Sequence, residues 1–102
     1  MKTSQRITRA ADRIEAVLDA HRAATANPSA MGELRAAAAE LAACDAFASS
    51  KLVELMDQAQ VFYGRQSLFR LPGRSQRLWR SMREELLDLL RMRARVLEAQ
   101  GD

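Results

Sequence analysis

The chain has 102 residues, 48% of them hydrophobic, and a formal net charge of +3. That is enough for one core and too little for two, and too apolar for a disordered tail. With 4 Gly and 2 Pro there are too few turn formers for many short strands. Alanine, the best helix former, fills most of residues 36–43, so a single all-α domain spanning 1–102 is expected.

Thr3 or Ser4 is placed to cap a first helix, over about 4–26. Ile7, Ala10, Ala11, Ile14, Val17, Leu18 and His21 recur at three- and four-residue spacing along it, and charged residues fill its other face. Pro28 disfavours the helical conformation in Asn27 and should end it there. Pro28 also suits the first turn of the next helix, capped by Asn27 or Ser29.

From Met31 a seven-residue pattern continues for a long way. Leu34, Leu41, Ala48, Leu55, Phe62 and Phe69 share one position, and Met31, Ala38, Asp45, Leu52 and Ala59 share its partner. The pattern predicts one central helix over about 29–66, with Ser49–Ser50 as its only plausible break. Leu71-Pro72-Gly73-Arg74 has the residues of a type II turn, after which Ser75 caps a third helix over about 75–99. The expected architecture is three helices with a long central one, folded as an antiparallel helical hairpin or bundle.

Lengths then suggest a partner. At 1.5 Å per residue the central helix would be ~55 Å long, the first ~30 Å and the third ~38 Å, so neither neighbour covers the centre alone. On the third helix Leu78, Trp79, Met82, Leu86, Leu87, Leu89, Leu90, Met92, Val96 and Leu97 spread over roughly 220°, wider than the stripe of a helix with one neighbour. The expectation is a homo-oligomer, or a helical protein partner, held through Phe62, Phe69, Leu78, Trp79, Met82, Leu86, Leu87, Leu90 and Leu97.

Residues that carry chemistry are sparse. His21, the single histidine, lies at the edge of the first helix's apolar face, where a structural role is expected. Cys44, the single cysteine, has no partner for an intrachain disulfide and reads as a small core residue in a reducing compartment. Glu84, Glu85 and Asp88 begin an acidic patch that ordinary helix-surface pairing explains, with Glu84 four residues after Arg80 and Asp88 three before Arg91. No cluster of metal ligands, Gly-rich phosphate loop or Glu-x-x-His repeat occurs, so no metal, cofactor or catalytic residue is expected and the chain does not read as an enzyme. The opening "MKTSQRITRAADRIEAVL" lacks the apolar stretch of a signal peptide, and no apolar run approaches the ~20 residues of a membrane span. A bacterial cytoplasm is the expected setting.

Two charges interrupt apolar faces: Asp45 on the second helix and Arg93 on the third. A hairpin turning near residue 70 brings 93 opposite about 48, so an Asp45–Arg93 ion pair is predicted to fix the register.

The remaining signal is basic. From Gln58 to Met82 there is no acid, and Arg65, Arg70, Arg74, Arg77, Arg80 and Arg83 fall in or next to this stretch. Six arginines suit phosphates, and aromatics suit unpaired bases, but Phe69 and Trp79 both continue core series and no short recognition helix follows the turn. A basic rim around an apolar centre also suits docking of an acidic protein. The function expected is therefore a non-enzymatic protein-interaction module, such as an adaptor, assembly factor or chaperone-like protein. Nucleic-acid binding through the six arginines is the alternative. Surface binding to anionic membranes through the first helix is a third reading, weakened by that helix's mixed charge.

Overall fold

The computed structural model describes residues 1–65 and 72–102. Its elements are α1 (Thr3–Ala20), α2 (Pro28–Glu40), α3 (Ala46–Tyr63), and a last rod formed by α4 (Pro72–Arg80), a π-helical turn (Ser81–Leu86) and α5 (Leu87–Ala99). The rod is continuous, because Arg80, Leu86 and Leu87 all keep right-handed helical dihedrals. Within its π turn the Leu87 N–H reaches the Met82 carbonyl, five residues back.

These four helical lengths form a closed antiparallel ring. α1 packs on α2, α2 on α3, α3 on the π turn, α4 and α5, and α5 returns to α1. Direction follows from the cross-links. Arg6 near the start of α1 reaches the Glu40 carbonyl at the end of α2, and the Asn27 N–H before α2 reaches the Tyr63 carbonyl at the end of α3. Arg93 late in the rod reaches Asp45 before α3, and the Ser4 N–H at the start of α1 reaches the Asp102 carbonyl beyond α5. Each such link joins one end of a helix to the opposite end of its neighbour, the arrangement of an up-down-up-down bundle. The last rod, ~42 Å at 1.5 Å per residue, accounts for the long dimension of a 45 × 22 × 21 Å molecule.

The core lies along the bundle axis. Ile7, Ile14 and Leu18 of α1, Leu34 and Leu41 from α2 and its end, Leu55, Phe62 and Tyr63 of α3, and Met82, Leu87 and Leu90 of the rod are all fully buried. At ~25 cal/mol per Å² of apolar surface, full burial of each large side chain contributes ~1.5–3 kcal/mol before entropy is counted.

The three-helix expectation is corrected. The central helix breaks at residues 41–45, and Ser49–Ser50 lie inside α3. Two local features set the break. Ala43 adopts a positive φ of 60°, a left-handed conformation no L-residue continues a helix through. Asp45 is extended and starts α3 by accepting a hydrogen bond from the Ala48 N–H at 3.0 Å. The seven-residue series survives the break, since Leu34, Leu41, Ala48, Leu55 and Phe62 all point inward.

Two boundaries also move. α1 stops at Ala20 rather than near 26, because residues 21–27 are held by tertiary hydrogen bonds. The Tyr63 hydroxyl donates to the His21 carbonyl, the Asn27 N–H donates to the Tyr63 carbonyl at 2.8 Å, and Asn27 Oδ1 caps α2 through Ala30. α4 begins at Pro72 rather than Ser75, so Pro72 and Gly73 belong to a helix and not to a turn; Leu71 lies outside the described residues. At the end of α3, Gly64 sits where a Cβ would come within 2.1 Å of the Gln60 carbonyl oxygen.

Candidate functional site

The expected oligomer surface is largely inside the bundle. Met82, Leu87 and Leu90 are 0% exposed, and Phe62, Leu86 and Leu97 are 5% or less. Leu78 and Trp79 are half-buried against the same core, and Phe69 lies outside the described residues. The wide apolar arc of the last rod is thus covered by two neighbours within the chain, α1 on one flank and α3 on the other. That corrects the reading of these residues as surplus apolar surface. Of the arc, Met92 and Val96 stay exposed.

Exposed apolar surface collects elsewhere, where α2 ends and α3 passes it. A groove of about 530 Å³ opens there between Ala38, Ala42 and Ala43 on one side and Leu52, Val53 and Met56 on the other. Ala42, Ala43 and Val53 are exposed, Val53 at 61%. The groove exists because of the break: the turn at 41–44 carries small alanines, which leave space where larger side chains would have closed it. Asp57 and Ser49 are the polar groups on its wall. The sequence signal for it was faint, consisting of an apolar Val53 beside the core residue Leu52 on the outward side of the seam.

Asp45 and Arg93 are brought together. Arg93 donates from Nε to Asp45 Oδ2 at 3.1 Å and from Nη2 to Oδ1 at 2.9 Å, a bidentate pair. The hydrogen bond from Arg93, with the cap bond from Ala48, holds the Asp45 carboxyl below its ordinary range against the opposing effect of burial. The Phe47 ring packs beside the Arg93 guanidinium, 5.9 Å from its centroid.

The six arginines separate into different roles. Arg83 is taken up by the bundle: it donates to Asp19 through Nε (2.8 Å) and Nη2 (3.3 Å) and lies 3.5 Å from Glu15. The hydrogen bond from Arg83 lowers the Asp19 pKa, working against burial. Arg91 continues the same seam to Asp12 and Glu15. The acids of α1 at positions 12, 15 and 19 are therefore a structural stripe facing the rod. Arg65, Arg74, Arg77 and Arg80 are exposed, and Arg70 lies outside the described residues.

Near Arg80 the end of α1, the end of α3 and the start of the last rod bound a cleft of about 350 Å³. The Trp79 indole N–H donates to the Leu18 carbonyl at 2.9 Å, which fixes the ring, and the Arg22 guanidinium lies 4.9 Å from the ring centroid. His21 joins the network of Asn27 and Tyr63: its Nδ1 lies 3.2 Å from the Asn27 amide nitrogen and its ring meets Tyr63 edge-on. Burial pushes the Tyr63 phenol pKa up. Cys44 is half-buried against the core. Among the described residues no three His, Cys, Asp or Glu side chains converge as metal ligands, and no helix is long and apolar enough to cross a membrane.

Comparison of the chain with models of known protein families, with curated proteins and with solved structures finds no match.

Proposed function

We propose that this chain is a non-enzymatic helical module that docks a partner protein, as an adaptor, assembly factor or chaperone-like protein would. The docking surface is the groove between the end of α2 and α3, in place of the apolar residues now accounted for by the core. The observation that carries the reading is the groove itself, an apolar trough with Val53 61% exposed at its edge. Exposed apolar surface of this kind is stabilised when a partner removes it from water.

The test pairs binding with folding. Val53→Glu puts a charge on an exposed position, so thermal unfolding should stay within ±0.5 kcal/mol of the parent. The same substitution should abolish recovery of a specific, stoichiometric protein from source-cell extract by the immobilised chain. Identical recovery on the parent and Val53→Glu chains would remove the groove from the argument.

A second reading has its own support. Arg65, Arg74, Arg77 and Arg80 are exposed in a stretch without acids, as a phosphate-binding surface would be. Fluorescence anisotropy of a labelled single-stranded oligonucleotide tests it. Binding weakened by an Arg74/Arg77/Arg80 triple-Ala chain supports the reading, and no binding into the ~100 µM range that bounds non-specific affinities disposes of it.

A further inference from the structure

The cleft at Trp79 combines three properties. It is concave, with a volume of about 350 Å³, within the range of small-ligand sites. It has a rigid aromatic wall, because the Trp79 ring is anchored through its N–H to the Leu18 carbonyl. It also has cations on two sides, Arg22 from the end of α1 and Arg80 from α4.

The charge balance around it favours an anion. Arg22 lies 3.7 Å from Asp19, but that carboxylate is already gripped at both oxygens by Arg83. Arg80 is exposed, and Arg77, three residues before it on the same helix, adds a further exposed cation. Arg22 itself is 69% exposed, so it can leave the Trp79 face for an incoming oxyanion and give up only a solvent-exposed cation–π contact and a surface ion pair to Asp19, each worth little. Gln76 adds an amide able to donate or accept at the cleft wall.

We infer that this cleft binds a nucleotide unit, its flat base against Trp79 and its phosphate between Arg22 and Arg80. A carboxylate side chain would satisfy the arginines but leave the aromatic wall unused. A base with its phosphate uses both, and stacking on a fixed ring is how unpaired nucleotides are held without sequence preference. The inference rests on the nucleic-acid reading and gives that reading a site. It shares no residue with the α2–α3 groove.

Trp79 is the single tryptophan of the chain, so its emission reports on the cleft alone. The full chain is titrated with adenosine monophosphate, with a single-stranded oligothymidylate, with inorganic phosphate and with polyglutamate, following Trp79 emission and, for the labelled oligonucleotide, anisotropy. Saturable quenching by either nucleotide probe is expected. A markedly tighter oligonucleotide identifies a nucleic-acid strand as the source, and equal or exclusive quenching by adenosine monophosphate identifies a free nucleotide. Arg22→Gln and Arg80→Gln should each weaken the quenching titration by about tenfold or more, the scale of a lost hydrogen bond to a charged group. Both side chains are surface groups, so unfolding midpoints serve as the folding control.

Three outcomes overturn the inference. One is oligonucleotide binding by anisotropy with Trp79 silent and both variants neutral, which leaves the broader nucleic-acid reading standing. Another is equal quenching by inorganic phosphate or polyglutamate, which shows a cleft blind to the base. The last is no response to any probe into the ~100 µM range, which removes the site and the nucleic-acid reading together.

Discussion

Asp45 accepts three hydrogen bonds of two kinds, one from the Ala48 N–H at the start of α3 and a bidentate pair from Arg93 across the bundle. They can be separated by substitution. Asp45→Ser keeps a capping oxygen and loses the pair; Asp45→Ala loses both. Urea unfolding should place Asp45→Ala about 1 kcal/mol below Asp45→Ser, the usual worth of an N-cap. Arg93→Gln should cost little once Asp45→Ser is present, because the shared interaction is already gone. Equal midpoints for the Ser and Ala variants would show that the cap contributes nothing. Acid adds a second signature. Arg93 and the helix start hold the Asp45 carboxyl below its ordinary value of 3.8, so the folded state favours the ionised form. That stability is complete above 3.8 and is lost as pH falls through the depressed folded-state value. The gap between the parent and Asp45→Ser should therefore close on acidification below 3.8. The pair was legible because each charge interrupts an apolar face. The cap was not, since a helix read as unbroken over 29–66 leaves Asp45 no N-terminus to serve. Arg83 was misplaced for a related reason: its acceptor Asp19 is 64 residues away, beyond anything helix spacing reveals.

At the scale of elements, the turn between α2 and α3 decides how many helices there are. The seven-residue series runs through it without a fault, because a turn that keeps Leu41 and Ala48 both facing inward preserves the pattern while reversing the chain. Periodicity reports which side chains face inward and is silent about chain direction. Two of the residues at the turn, Ala42 and Ala43, are alanines, which are strong helix formers, and Ala43 departs from helix with φ at 60°. A left-handed residue costs ~1–2 kcal/mol, and glycine there is offset by ~0.4–1 kcal/mol of extra freedom when unfolded. Ala43→Gly is therefore expected to stabilise the chain by ~0.5–1 kcal/mol, raising the unfolding midpoint. A fall of the size seen for glycine inside a helix would mean that residues 29–66 form one helix after all. The ends of α1 and α2 were misjudged or well judged according to the same rule. Asn27 caps α2 through a local bond three residues away, which sequence spacing reveals. The early stop of α1 depends on Tyr63, 42 residues from His21, which it does not.

At the scale of the molecule, four helices supply what three could not. A last rod with an apolar arc of roughly 220° needs two neighbours, and a chain of three helices with a long centre would have had to borrow one from another copy. The turn at 41–45 provides the neighbour internally, so α1 and α3 enclose the rod from both flanks, and the arginine–carboxylate seam of Arg83 and Arg91 with Asp12, Glu15 and Asp19 fixes α1 against it. Leu90, 0% exposed, is the sharpest probe of this closure. Leu90→Ala removes methyl groups from a packed interior and should cost 2–5 kcal/mol, depending on how far the surroundings collapse. Met92→Ala, at a position 47% exposed, should cost far less. Because the core closes within one chain, the Leu90→Ala loss should be the same at micromolar and at hundredfold higher protein concentration. A leucine buried between two copies behaves otherwise, since dissociation couples its unfolding to mass action. A midpoint that climbs with concentration in the parent, and falls to a concentration-independent value in Leu90→Ala, would return that side chain to an intermolecular interface.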